Sequence, residues 1–309
     1  MVMVNRIIVV GSTGLIGRSL SKFLLSPGNE IVSVSRDPES ARNLIPGLRS
    51  YEKLQINAEK FREIVDGSDV VINMTGSPAF EKYRDYDRIV RESRVDLTES
   101  ISEGISQCER KPKVFINASA SGYYGPGGPD QTYTETSAGG DDYWGNLVKD
   151  WEAATGKAEK AGVRTVKIRT SVILSSEGGA LSQLAPVFRK HLGGYIKPGT
   201  QFFSWIHIDD EIGIIDFTIK NAEITGPVNA TSPGYTTSRE FFSAIGSEMN
   251  RKASIGMPEF ILKARVGKAY GLLASGGKII PEKVLKAGYQ FKYADIRSAL
   301  KDIIPNMVS

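Results

Sequence analysis

The chain has 309 residues, 40% of them hydrophobic, enough to bury a large core as one big α/β domain or two smaller ones. Its 39 Lys and Arg against 35 Asp and Glu give a net charge of +4, spread along the chain without a basic block, which argues against nucleic acid as a partner. Cys108 is the single cysteine, so no intrachain disulfide can form, and with only His191 and His207 as histidines and no carboxylate motif, no metal is expected.

In chain order, short β-branched runs alternate with longer helical patterns. "RIIVV" is followed by a helix over 15–25, "EIVSVS", a helix over 59–65, "DVVINM", a helix over 83–106, "KVFINAS", a helix over 148–161 and "VRTVKIR". Continuous apolar strands joined by crossover helices predict a doubly wound parallel sheet buried on both faces. The apolar runs fall well short of the roughly 18 residues that cross a bilayer. A first strand beginning by Arg6 leaves little room for a cleavable leader, so a soluble cytoplasmic protein without a membrane partner is expected.

The glycine-rich segment 121–143 leaves the end of the predicted strand "KVFINAS", where open α/β sheets bind ligands, and is long enough to read as a binding loop. Beyond 171 the elements shorten: a helix over 180–191, a strand near "FSWIHI", a helix over 211–221, "GPVNAT" and a helix over 238–249. Three more helices are predicted around 262–273, 282–287 and 294–304. The expected organisation is a cofactor domain over 1–170 and a smaller, mostly helical substrate cap over 171–309, its C-terminal helical part starting near 259.

Gly11, Gly14 and Gly17 stand between the first strand and the first helix. There the first glycine permits a tight bend, the second admits a pyrophosphate and the third lets helix pack on strand, while the amides of residues 13–16 face anionic oxygens. A tight turn without a ligand is the plain alternative; the βα units on either side favour a dinucleotide. At the end of the second strand, Ser35 and Arg36 suit a 2′-phosphate and hence NADP(H). Asp37, one residue on, would restore the carboxylate that NAD prefers, and Arg36 read plainly is a surface charge.

The combination of "GSTGLIG", "NMTGSP", "SRVDLTES", "NASASGYYG", "DWEAA", "QFFSWIHIDD" and "GPVNATSP" resembles the extended short-chain dehydrogenase/reductases. It is most similar to their atypical epimerase-family branch, some of whose members are described as cell-division-inhibitor homologues. The tail resembles that branch's C-terminal domain of unknown function. The resemblance implies a Rossmann fold and NADP(H). It places Gly11, Ser12, Thr13, Gly14, Leu15 and Ile16 at the pyrophosphate, Ser35 and Arg36 at the 2′-phosphate, and Leu54 and Gln55 near the adenine. Thr75, Gly76 and Ser77 would lie along the ribose and nicotinamide, with Val172 closing the pocket.

The chain departs from the usual tyrosine and lysine four residues apart on one helix. The corresponding slots fall on Trp144 and Val148, and Tyr143 and Lys149 are six apart, about 120° around a helix. The candidates for proton chemistry are therefore Ser121, Tyr123, Tyr124 and Tyr143, which read plainly are rim aromatics and a loop serine. Arg94 is a candidate for holding an anionic substrate group, or pairs with Glu92 or Asp96 on its helix. His207 reads as a buried structural histidine, with a general base as the alternative, and Asp209 and Asp210 as helix caps. Three functions follow: an NADP-dependent oxidoreductase or epimerase-like enzyme on a small polar substrate, a non-catalytic NADP-binding regulator, or a nucleotide-sugar epimerase or dehydratase. A homodimer is compatible with each.

Overall fold

The structure is a computed structural model and describes residues 5–253, 255–274 and 276–307. Its first half alternates β1 (Asn5–Val10), α1 (Leu15–Leu24), β2 (Asn29–Ser35), α2 (Pro38–Leu44), β3 (Ser50–Lys53), α3 (Ala58–Val65), β4 (Val70–Asn73), α4 (Tyr86–Arg91), α5 (Leu97–Ser106) and β5 (Val114–Ala120). Helices α6 (Tyr143–Ala153) and α7 (Gly156–Lys160) lead to β6 (Arg164–Thr170), and β7 (Gly226–Ala230) follows a further helix, Ile208–Lys220. The seven strands form one parallel sheet in the order β7-β6-β5-β4-β1-β2-β3. The order reverses between β1 and β4, so the switch point, where open α/β sheets bind ligands, lies beyond Val10 and Asn73.

The strands are parallel because their residues are apolar on both faces. Ile7 to Val10, Ile31, Val32, Val34, Val70 to Ile72 and Val114 to Ile116 are all buried. One face packs on α3 and α5 through Phe61, Val65, Leu97, Ile101 and Ile105. Two elements escape the sequence patterns: α2, opened by an Asp37 cap and Pro38, and β3, a four-residue strand at the sheet edge whose "SYEK" shows no apolar run. The predicted helix 83–106 is divided: α4 and α5 flank a wider, π-helical turn at Glu92–Asp96. The helix expected over 148–161 begins earlier, at Tyr143, and stops at Ala153, before α7.

The chain forms two compact units. One comprises residues up to Ser119, Leu147–Ile168 and Ile215–Pro227; the other comprises Ala120–Asn146, Arg169–Ile214 and the chain from Val228 onward. The second is thus assembled from three stretches, including the glycine-rich segment. That segment is not structureless: it holds a 3-10 turn at Ser121–Tyr124 and a strand at Thr132–Tyr133 that pairs in parallel with Lys278–Ile279. The unit's core gathers Leu174, Phe203, Trp205, Phe241 and Ile245 with Ile296, Leu300 and Ile303 of the C-terminal helix Ile296–Ile303. Its C-terminal region is largely helical. Among the described residues no helix is long and apolar enough to cross a membrane.

Candidate functional site

In the first unit the turn between β1 and α1 has the shape the glycines suggest. Gly11 has φ +83°, and a Cβ there would lie 2.9 Å from the Met74 carbonyl carbon and oxygen. At Gly17 a Cβ would run into the Gly11 carbonyl oxygen. The first glycine thus lets the turn press against the end of β4, and the third seats α1 on the turn. Gly14 is the N-cap of α1 and no side chain caps that helix end, whereas α2, α3 and the helix Ser238–Glu248 begin on Asp37, Asn57 and Thr237 side chains. Exposed Gly14 and the following amides of Leu15 and Ile16 leave a helix N-terminus shaped for an anion. Ser12 is buried, its hydroxyl 2.5 Å from that of Ser33, and so has only backbone to offer a ligand; Thr13 is half-buried beside it.

At the end of β2, Arg36 is exposed and Ser35 is buried, donating from Oγ to the Asp37 carbonyl at 2.9 Å. The Asp37 carboxylate accepts the Ser40 amide at 3.1 Å as the cap of α2. The carboxylate that made NAD an alternative therefore has a structural task, and the guanidinium one residue before it faces solvent. Leu54 donates its amide to the Ser35 carbonyl at 2.7 Å and rests against the core of this unit; Gln55 beside it is exposed.

Beyond β4, Thr75 is held by a buried polar network. Asn73 Oδ1 accepts the Thr75 amide at 3.2 Å and its hydroxyl at 2.6 Å, while Asn73 Nδ2 donates to Asn117 Oδ1 at 2.8 Å and Thr98 Oγ1 at 3.0 Å. The same Thr98 oxygen accepts Trp151 Nε1 at 3.0 Å, and nearby Ser119 donates to Glu152 Oε1 at 2.7 Å. Asn73, Thr98, Asn117, Ser119, Trp151 and Glu152 were absent from the expected site. Each sits in a segment that carries the family resemblance, and their convergence is set by the fold.

Ser77 and Gly76 are bound from below by Arg94. Its Nη2 donates to the Ser77 carbonyl at 3.0 Å, a Cβ on Gly76 would lie 3.3 Å from its Cζ, and the guanidinium stands 5.3 Å from the Trp151 ring centroid. Ser93 Oγ accepts the Ser77 amide at 3.0 Å. Arg94, part of the π-helical turn, thus supports the loop that carries Thr75 to Ser77.

The second unit holds the hydroxyl candidates in unlike surroundings. Tyr124 is 2% exposed; its hydroxyl donates to Asn229 Oδ1 at 2.6 Å, lies 3.0 Å from the Thr134 carbonyl and accepts Arg169 Nη1 at 3.0 Å. Burial pushes this phenol up to about 12 against the pull of Arg169, leaving a weak acid enclosed by protein. Tyr123 is half-buried with the Arg169 guanidinium 3.4 Å from its ring centroid. Ser121 and Tyr143 are half-buried, Ser121 opening the 3-10 turn and Tyr143 opening α6. Val172 starts a strand that pairs with Trp205.

His207 is buried against the Tyr293 ring at 3.8 Å, and its Nδ1 accepts the Asp209 amide at 3.0 Å, so in the neutral ring the proton lies on Nε2. Burial lowers its pKa despite the carboxylates of Asp209, Asp302 and Asp210 nearby. Asp210 does not cap its helix: it lies in the first turn and accepts the amides of Lys292 at 2.8 Å and Tyr293 at 2.9 Å and the Tyr289 hydroxyl at 3.2 Å. Among the described residues no cluster of His, Cys, Asp and Glu could hold a metal ion.

Residues 7–230 match the family model of the NAD dependent epimerase/dehydratase family, and 257–303 match a domain of unknown function, DUF1731. The chain is 33% identical to the mouse epimerase family protein SDR39U1 over 305 residues, 97% of this chain and 99% of that protein. It is 32% identical to a chloroplastic homologue from Arabidopsis thaliana, over 96% of this chain and 86% of that one. The crystal structure of the human SDR39U1 protein with NADPH superposes with a TM-score of 0.85 at 30% identity, covering 98% of this chain and 100% of that one. A UDP-glucuronic acid 4-epimerase from Bacillus cereus, at 16% identity and a TM-score of 0.77 over 97% and 98% of the two chains, shares the fold. With a seven-stranded parallel sheet, a glycine turn at its switch point and matched sequence over nearly its whole length, this chain belongs to the NAD-dependent epimerase/dehydratase family and carries its DUF1731 C-terminal segment.

Proposed function

We propose that this protein is an NADP(H)-dependent oxidoreductase or epimerase-like enzyme acting on a small polar substrate, with the first unit holding the cofactor and the cap residues beyond 171 contributing to substrate recognition. The observation that carries the reading is the pairing of an exposed Arg36 with an Asp37 carboxylate committed to the α2 cap. A guanidinium makes charge-assisted bonds to a 2′-phosphate, and the Asp37 carboxylate beside it already accepts the Ser40 amide. The uncapped N-terminus of α1 would hold the pyrophosphate through backbone amides, and Thr75 and Ser77 would line the nicotinamide half. The human relative crystallised with NADPH supports the same choice.

When bound, NADPH supplies hydride. The protein must then supply a proton to the oxygen that gains charge, and Tyr143, with Ser121 as hydrogen-bond donor to the carbonyl, fits this task better than Tyr124, whose hydroxyl is closed in by Asn229, Thr134 and Arg169. A protonated phenol can give a proton but cannot take one, which favours carbonyl reduction over alcohol oxidation. Cytoplasmic residence belongs to the same reading.

Arg36→Ala is expected to weaken NADPH binding by about 1.5 to 3 kcal/mol, the range for hydrogen bonds to charged groups, while leaving NADH almost unchanged. Titration of both cofactors by fluorescence decides it; equal losses would remove the 2′-phosphate from this site.

A second reading, a cofactor-binding regulator without turnover, is favoured by one observation: on α6 the tyrosine and lysine are six residues apart, about 120° around the helix, instead of the four of the usual couple. Oxidation of NADPH with any member of a carbonyl library would exclude it.

A further inference from the structure

One turn after Tyr143 the chain carries Leu147, so α6 offers this phenol no cation at helical spacing. The second unit brings one from elsewhere in sequence. The Tyr143 ring meets Trp144 edge-on, with centroids 5.4 Å apart, and the buried Trp144 donates from Nε1 to the Lys268 carbonyl at 2.9 Å. Gly271 lies so close that a Cβ there would stand 2.8 Å from Trp144 Cδ1, and a Cβ on Gly122 would stand 2.8 Å from Leu272 Cδ2. These contacts hold the segment around 268–272 against the start of α6 and the Ser121–Tyr124 turn. They leave Lys268 Nζ 4.8 Å from the centroid of the Tyr143 ring.

Resting on the proposal that Tyr143 handles the proton, we infer that Lys268 is the positioning cation of Tyr143, and that supplying it is a task of the DUF1731 segment. A cation at this distance stabilises phenolate over phenol. When the phenol gives its proton to the oxygen of a carbonyl that has accepted hydride from NADPH, the O–H bond of the tyrosine breaks, the O–H bond of the product alcohol forms, and the phenolate left behind faces Lys268 until solvent returns the proton. The other charged groups on the surrounding elements are placed differently. Asp142 accepts the Gly145 amide at 3.0 Å and the Trp144 amide at 3.4 Å, and Lys149 is attached six residues after Tyr143, about 120° around α6. Arg169 covers Tyr123.

The test is an NMR titration of the full chain labelled with ¹³Cζ-tyrosine, the Tyr143 signal being assigned by Tyr143→Phe. Lys268→Met is expected to raise the Tyr143 midpoint by about half a pH unit or more, the scale set by one charge at this distance in a largely solvated setting. Lys268→Arg should hold the midpoint near that of the unaltered chain, Lys149→Met should leave it in place, and 1 M salt should shrink the Lys268 effect. Lys268 is exposed, so these variants are expected to keep the fold, with circular dichroism as the check. A midpoint that ignores Lys268→Met, or that moves equally with Lys149→Met, overturns the assignment. NADPH affinity, measured in parallel, reports on the cofactor site alone and separates failure of this inference from failure of the proposed function.

Discussion

Glu211 shows what burial does to a single residue. It is fully buried in the second unit, one carboxylate oxygen accepts the Thr170 hydroxyl at 2.8 Å, and the other has no hydrogen-bond partner among the described residues. Desolvation outweighs the Thr170 bond and pushes its pKa up to about 8, so at neutral pH it is a neutral acid. An unfolded chain releases that proton near pH 4.5, so the folded state holds one proton more between the two values and stability falls as pH rises through this window, on the order of 1 kcal/mol per pH unit. His207 acts in the opposite sense: its lowered pKa costs stability as pH falls below the ordinary histidine range near 6.5. Between about pH 6.5 and 8, Glu211 therefore outweighs His207 in setting how stability changes with pH. Glu211→Gln should flatten urea-derived stability across that range, and a slope unchanged by the substitution would mean that Glu211 is ionised in the folded protein. The shape of the turn at Gly11 was legible at this scale because a turn glycine acts where it stands, whereas the cap role of Asp37 was not, because α2 left no apolar pattern to mark its start. The environments of Tyr124 and Glu211 were not legible either, since each is made by partners such as Asn229 and Thr170 that are distant in sequence.

At the scale of elements, the turn from β1 to α1 depends on close approach rather than on contacts a substitution could restore. A methyl at Gly17 would meet the Gly11 carbonyl oxygen, so Gly17→Ala must displace α1 or open the turn. The expected result is a stability loss of about 1 to 3 kcal/mol, as for overpacking, with NADPH affinity reduced at least tenfold because the amides of residues 14–16 no longer converge. Retention of wild-type affinity in calorimetry would show that the helix end is not the anion site. The π-helical turn at Glu92–Asp96 has a comparable effect on side-chain direction: it places Arg94 under Ser77, where the periodicity of an uninterrupted helix over 83–106 left it as a surface pair or a substrate ligand. Helical periodicity predicted one helix over 83–106 and carried no sign of the extra residue in the turn that divides it.

At the scale of the molecule, the DUF1731 segment shares a core with the middle of the chain. Leu300 is completely buried in a cluster with Phe203, Trp205, Phe241 and Ile245, and the Asp210 carboxylate accepts amides of Lys292 and Tyr293. Leu300→Ala should cost about 2 to 5 kcal/mol by loss of burial and by cavity formation. Hydrogen exchange should then quicken in 203–207 and 238–248 together with 282–303. Loosening confined to 282–303 would make the segment a separate domain.

The sequence by itself determined the parallel sheet, the glycine turn and the candidate cofactor residues, because apolar strand runs and a glycine triplet express their physics within a few residues. Only the tertiary structure decided that Asn73, Thr98, Asn117 and Trp151 meet beneath Thr75, that Tyr124 is closed in, that Asp210 fastens the C-terminal segment instead of capping a helix, and that Lys268 lies over Tyr143. Each of these depends on two or more chain segments meeting in space. A hydrogen bond or a cation over a ring imposes no spacing on the sequence when its partners lie on different elements, so packing of the whole chain decides which groups meet.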